Sequence, residues 1–211
     1  FFDETGSYIE GDATLAALAE AELSAGDTTV SAVNVSQRLV DVADRVGANL
    51  ELTPIGSTRI MTRIRELTAQ GVSVPVAGEG NGGVIFPAYR TNRDGAYTGA
   101  RFLELLASES ASSVVAPYGG YENVRINVEF DTEAERQALI DAARETAEAQ
   151  NGELTTSDGY RLDYGDAWVL ARPSGTEPVM RIYAEAGEEA RASELAETFA
   201  DALEVAKREA V

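Results

Sequence analysis

The chain has 211 residues, 44% of them apolar, with 36 Asp plus Glu against 17 Lys plus Arg and a formal net charge of −19 at pH 7. That length suits one or two domains with a buried core, and the charge repels nucleic acids and anionic membranes. With no His and no Cys, Ser-His-Asp and Cys-His nucleophiles, imidazole or thiolate zinc sites and disulfides are excluded, leaving carboxylates, hydroxyls, Arg, Asn and backbone amides for any chemistry.

The first residue is Phe1, with no basic segment and apolar run before it, so the chain reads as a piece with a missing upstream region. Apolar runs such as Val84–Phe86 and Phe102–Ala107 fall far short of the roughly 18 residues that span a bilayer, and the reading is a soluble, cytoplasmic protein. Lys207 is the only lysine, every other basic side chain being arginine. Together with the acidic excess this reads as a surface adapted to concentrated salt, where screening relieves self-repulsion; an ordinary acidic cytosolic protein is the alternative.

In chain order, Phe1–Ile9 alternates around Thr5-Gly6-Ser7 as the end of a hairpin, and Asp12 is expected to N-cap a helix bearing Leu15, Leu18, Ala19 and Leu23 on one face. Thr28–Val35 reads as a buried strand. Ser36 caps a helix presenting Leu39, Val42, Ala43 and Val46 and stopped by Gly47, and Leu50–Ile55 is the next strand. Gly56-Ser57 opens a helix with Ile60, Ile64 and Leu67 inward, followed by strands at Val72–Ala77 and Val84–Phe86 and a helix from Gly95 to about Leu106. This alternation is that of a layered α/β unit. Ser108–Ser113 with Pro117-Tyr118-Gly119-Gly120 reads as a linker. Beyond it come a strand at Asn123–Phe130, a helix capped by Asp131 or Thr132 and ended by Gly152, strands near Tyr160–Leu162, Trp168–Ala171 and Val179–Ala184, and a last helix aligning Leu195, Phe199, Leu203 and Ala206. The second unit is therefore α+β, a mostly antiparallel sheet with helices packed on it.

Gly78-Glu79-Gly80-Asn81-Gly82-Gly83 satisfies G-x-G-x-x-G, but a dinucleotide loop must open a helix, and Val84-Ile85-Phe86-Pro87 follows instead. The cluster reads as a loop between strands. Its glycines let a ligand approach the backbone, and Glu79 and Asn81 supply an acceptor and a mixed donor–acceptor suited to vicinal sugar hydroxyls. A glycine-rich hairpin with two solvated polar residues is the alternative. Arg172-Pro173-Ser174-Gly175-Thr176-Glu177-Pro178 combines an arginine fork, two hydroxyls, a free backbone at Gly175 and two stiffening prolines, a composition that fits a phosphate. A tight turn with Arg172 paired to Glu177 fits equally well. Arg90, Arg93 and Asp94 form a third cluster, with Asp94 read as a helix cap rather than a catalytic group. Gly56-Ser57-Thr58-Arg59 marks a helix N-terminus suited to an anion, or Ser57 is simply a cap. The acidic residues of Glu188–Glu209 read as a solvated face.

Gly78–Gly83, Arg93-Asp94-Gly95, Asp158-Gly159 and Arg172–Pro178, in that order, resemble the C-terminal half of the α-D-phosphohexomutases, the family of phosphoglucomutase/phosphomannomutase and phosphoglucosamine mutase. The likeness runs along nearly the whole chain. Asn81 in place of the commoner Ser, and Gly83 where many relatives carry His, resemble archaeal members most. The resemblance implies that residues 1–7 are the tail of a second domain, residues 8–112 a sugar-recognising third and residues 113–211 a phosphate-holding fourth. It also implies that Arg172, Ser174, Gly175 and Thr176 hold the non-reacting phosphate and that Glu79 and Asn81 hold sugar hydroxyls, with Arg59 and Arg93 as further cleft candidates.

The implied reaction is phosphoryl exchange between the 6- and 1-positions of a hexose phosphate, through a phosphoserine enzyme and a bisphosphate intermediate. The family's Ser-His-Asn phosphoserine loop and Asp-x-Asp-x-Asp magnesium loop match nothing in this sequence. The resemblance thus assigns catalytic residues and Mg2+ ligands to missing N-terminal domains of the same polypeptide, and the chain alone is expected to be inactive. Its expected partner is a phosphorylated hexose, not a nucleic acid or a membrane. Two rival classes are a stand-alone phosphosugar- or anion-binding module and a structural acidic domain whose loops are mere turns.

Overall fold

In the computed structural model, which describes residues 1–210, the Phe1–Ile9 segment closes as a hairpin. Phe2 bridges Tyr8, and Asp3 N donates to Ser7 O at 2.9 Å. Helix α1 (Gly11–Glu22) buries Leu15, Leu18 and Ala19 at helical spacing. Its N-cap is Glu10 rather than the expected Asp12. Asp12 stands in the first turn, at the positive end of the helix dipole, and its Oδ1 accepts from the Ser36 amide at 3.4 Å.

Strand β1 (Thr28–Ala32) is wholly buried and stops short of Val35, where the chain turns. Ser36 caps α2 (Gln37–Val46), accepting from Arg38 N at 3.2 Å, and Gly47 ends that helix in the left-handed conformation at φ 73°. Strand β2 (Asn49–Thr53) pairs parallel with β1, from Thr28↔Asn49 to Ala32↔Thr53, and α2 is the crossover such a pair requires. Helix α3 (Ser57–Ala69) buries Ile60, Ile64 and Leu67, with Gly56 rather than Ser57 at its cap.

The expected strand at Val72–Ala77 is largely absent. Only Ala77 enters a strand, β3 (Ala77–Glu79). The preceding residues run beside β1 through the Thr28 amide on Ser73 O at 2.9 Å and the Thr29 hydroxyl on Val76 O at 3.0 Å, and within β3 Gly78 O accepts from the Ser31 hydroxyl at 2.6 Å. Side-chain donors there satisfy carbonyls that a backbone ladder would otherwise engage.

Strand β4 (Gly83–Phe86) pairs antiparallel with β3 and with β5 (Arg90–Arg93). Its alternation defines the layers. Val84 and Phe86 pack with Leu15, Leu39 and Phe102 of α4 (Gly95–Leu105), whereas Ile85 packs with Val30, Ile60 and Ile64. Helices therefore cover both faces of the strands, as in a layered α/β unit. The supposed linker at Ser108–Ser113 instead enters α5 (Ala111–Val115), because Ser110 Oγ caps it through Ser113 N at 3.3 Å and Ala111 is buried; a 3-10 turn, Ala116–Tyr118, follows. The first compact unit ends at Gly119 and the second begins at Gly120.

The second unit runs β6 (Glu122–Glu129), α6 (Glu133–Glu148), β7 (Glu153–Thr155), β8 (Tyr160–Asp163), β9 (Ala167–Pro173), β10 (Val179–Ala186) and α7 (Glu189–Glu209). Its strands form one sheet in the order β6-β10-β9-β8-β7, with every pairing antiparallel. Thr132, not Asp131, caps α6. Its Oγ1 accepts from Glu135 N at 3.1 Å while the Glu135 carboxylate accepts from Asp131 N at 2.8 Å, a reciprocal capping arrangement. The short β7 has no alternating apolar signal and is held by pairing with β8.

One face of this sheet, with Val169, Ala171, Ile182 and Ala184, packs on Leu139 of α6 and Phe199 and Leu203 of α7. Each such large side chain contributes roughly 1.5–3 kcal/mol of transfer free energy. On the opposite face Trp168 Nε1 donates to Glu185 Oε1 at 3.2 Å, and the buried Arg161 guanidinium lies 4.3 Å from the Trp168 ring centroid and bonds Asp163 at 3.0 Å. Those pairings compensate charges taken out of water. No helix among the described residues is long and apolar enough to cross a membrane.

Candidate functional site

The glycine cluster is the turn joining β3 to β4, as its sequence context implies. Gly82 N donates to Glu79 O at 3.0 Å, and Asn81 Oδ1 accepts from Gly83 N at 3.0 Å. The turn lies on the start of α1. A Cβ at Gly11 would overlap the Gly82 amide, and one at Gly80 would overlap the Asp12 carboxylate. This contact explains Asp12 better than capping does, and periodicity alone could not disclose it. Glu79, only 12% exposed, binds Arg93 Nη1 through Oε2 at 3.1 Å, whereas Arg93 is 43% exposed. Asp94 caps α4 as expected, Oδ1 accepting from Ala96 N at 3.1 Å and Tyr97 N at 3.0 Å, with Arg90 at 3.4 Å from its Oδ2.

The second loop leaves β9 at Pro173 and enters β10 at Val179. It is closed by Ser174 N donating to Val179 O at 2.8 Å, while Ser174 Oγ accepts from Thr176 N and Glu177 N, each at 3.3 Å. The amides of Thr176 and Glu177 thus converge on one point. Gly175 and Thr176 are exposed. Arg172, near the end of β9, is 13% exposed; its buried Nε lies 3.1 Å from Asp158 Oδ1 as an ion pair without hydrogen-bond alignment.

The Arg172–Glu177 pairing weighed above does not form. Glu177 instead binds Arg181, the residue directly opposite Arg172 in the β9–β10 register, and this bond raises the Arg181 pKa above its usual value. Gly159 fixes the geometry from the other side. It adopts φ 85°, and a Cβ there would overlap Ala171 O and crowd Arg172. Asp158-Gly159 is therefore the turn on which the arginine rests, and only glycine fits it.

The structure brings Glu79, Asn81 and Arg93 together in the first unit, and Arg172, Ser174, Gly175 and Thr176 together in the second. Arg59 lines an open groove of about 300 Å³ with Thr53, Pro54, Thr58 and Arg63, a lining that includes no residue of the glycine turn. The sequence reading missed Arg181. Its position after Val179-Met180 carried only the signal of strand alternation. Among the described residues no group of three or more acidic side chains is placed to hold a metal ion.

Residues 10–119 match the family described as phosphoglucomutase/phosphomannomutase, alpha/beta/alpha domain III, and residues 123–202 match its C-terminal domain. The chain belongs to the phosphoglucomutase/phosphomannomutase family. It is 35% identical over 210 residues to a phosphoglucomutase/phosphomannomutase of Thermococcus kodakarensis, covering 98% of this chain and 44% of that protein. A probable phosphoglucosamine mutase of Methanocella arvoryzae is 32% identical over 209 residues, again covering 98% of this chain and 44% of the relative. Among solved structures, a phosphoglucomutase/phosphomannomutase family protein of Burkholderia thailandensis superposes with a TM-score of 0.78 at 29% identity, covering 96% of this chain and 43% of that one. The chain thus spans less than half the length of the relatives it matches.

Proposed function

We propose that this chain is the substrate-holding half of a phosphohexomutase that interconverts hexose 6-phosphates and hexose 1-phosphates through a phosphoserine and a bisphosphate intermediate. The observation that carries the reading is the Arg172 site: a guanidinium mostly withdrawn from water, braced by Asp158 and Gly159, beside a loop that exposes Gly175 and Thr176 and is closed by the Ser174 amide on Val179 O. Arg172, Ser174, Gly175 and Thr176 would hold the phosphate that is not reacting, through a fork and backbone donors suited to an oxyanion. Glu79 and Asn81 would hold the sugar hydroxyls. A fixed anion grip with a separate hydroxyl-reading loop suits a substrate that must be held in two orientations while either phosphate reacts.

In this reading residues 1–7 close the preceding domain, the rest of the first compact unit recognises the sugar and the second unit, from Gly120, the phosphate. Mg2+ and the phosphoryl-carrying serine would be supplied, as the family resemblance implies, by N-terminal domains of the same cytoplasmic polypeptide. The arginine-for-lysine skew and net charge of −19 support a halophilic source, and Asn81 and Gly83 support an archaeal one. The test is titration of the chain with glucose 6-phosphate, glucose and inorganic phosphate, followed by a coupled mutase assay. Glucose 6-phosphate should bind more tightly than either fragment of it, without turnover. Equal binding of glucose 6-phosphate and inorganic phosphate, or turnover above background, would overturn the proposal.

A further inference from the structure

Gly83 opens β4 outside the left-handed region, so its backbone does not demand glycine. Space does. A Cβ at Gly83 would overlap Arg93 Cδ and stand 3.2 Å from Arg93 Nη1 and 3.0 Å from Asn81 Oδ1. The arginine reaches from the end of β5 across this gap, its stem lying where the side chain of residue 83 would be, and ends on Glu79 Oε2 at 3.1 Å. Stability does not explain the arrangement. Glycine within a strand costs roughly 0.5–1 kcal/mol, and an ion pair with one partner 43% exposed returns about 0–1 kcal/mol. What it does achieve is a fixed carboxylate: one oxygen of the largely buried Glu79 is engaged by Arg93, so the plane of the group is set and the other oxygen is directed.

We propose that Arg93 is a positioning residue of the sugar loop, admitted by the missing side chain at Gly83, and that it orients Glu79 to accept from vicinal hydroxyls of a hexose phosphate. This rests on Glu79 being the sugar ligand, as in the function proposed above. The experiment measures dissociation constants of glucose 6-phosphate and inorganic phosphate for the 211-residue chain and for Arg93→Met, Arg93→Lys, Gly83→Ala and the Gly83→Ala/Arg93→Met pair, with a melting curve for each.

Arg93→Met and Gly83→Ala should each weaken glucose 6-phosphate about tenfold, the loss of one charge-assisted bond, with inorganic phosphate unchanged. The paired variant should be no worse than either single one, since both remove the same contact. Arg93→Lys should recover part of the loss. Wild-type affinity in Arg93→Met, losses that multiply in the pair, or equal weakening of inorganic phosphate would each overturn the assignment of Arg93 alone. A wild-type chain that does not prefer glucose 6-phosphate over inorganic phosphate would remove the sugar-loop reading, and this inference with it.

Discussion

Arg172→Lys keeps a positive charge at the head of the β9–β10 loop but removes the planar fork. In the wild-type chain Arg172 Nε lies 3.1 Å from Asp158 Oδ1, with the two side chains 13% and 19% exposed. Nε can therefore face Asp158 while the terminal nitrogens remain for an anion. A lysine offers one compact ammonium and cannot serve both partners in the same way. Even facing the anion it gives one bond where the fork gives two, so the phosphate loses a charge-assisted interaction worth about 1.5–3 kcal/mol, or roughly 10- to 150-fold in affinity. Isothermal titration with inorganic phosphate and with glucose 6-phosphate measures this directly. Both should weaken by the same factor, because the phosphate group is what they share. The bond from Ser174 N to Val179 O and the packing of Gly159 do not depend on the head group, so the melting temperature should fall by no more than roughly 5–10 °C. Unchanged phosphate affinity, or a loss confined to glucose 6-phosphate, would refute the assignment of Arg172 to the phosphate.

Glu79→Gln should leave inorganic phosphate binding intact while changing the relative affinities for glucose, mannose and glucosamine 6-phosphates, since an amide replaces an all-acceptor group; competition titrations check this. Phe199→Ala opens a cavity among Leu139, Leu203 and Ile182 and should cost about 3–5 kcal/mol, read from denaturant unfolding. Glu20 binds Arg45 and accepts from Tyr118 Oη at 2.6 Å; the Arg45 bond leads in holding its pKa below the ordinary 4.5, and burial pushes the Tyr118 hydroxyl up. A lowered folded-state value stabilises above the unfolded one, so the melting-temperature gap between wild type and Glu20→Gln should be full at pH 7 and vanish as pH falls below about 4.5. Surplus carboxylates repel over a Debye length of about 30 Å at 0.01 M salt, so melting temperature should climb steeply into molar KCl; a flat profile would count against the halophilic reading.

Two kinds of information were separable along this chain. Local order was legible where one residue decides it. Ser36, Gly47, Asp94 and the Ile60, Ile64, Leu67 stripe each act within a turn or two of helix, and each lies where its neighbours in sequence place it. The two candidate loops were legible for a related reason, since glycine, proline and arginine at fixed spacing constrain a turn locally. Tertiary structure decided the partners. Val72–Val76 has the composition of a strand but lies beside β1, held by the Thr28 amide on Ser73 O and the Thr29 hydroxyl on Val76 O. Arg172 faces Asp158, fourteen residues earlier, rather than the nearby Glu177, because antiparallel register sets Arg181 opposite it to claim Glu177. Asp12 and Gly80, and likewise Gly83 and Arg93, meet only once strands and helices have packed. Sequence pattern encodes the period and ends of an element through interactions a few residues long. Which charge meets which across a sheet depends on long-range registration, and a single sequence does not carry that.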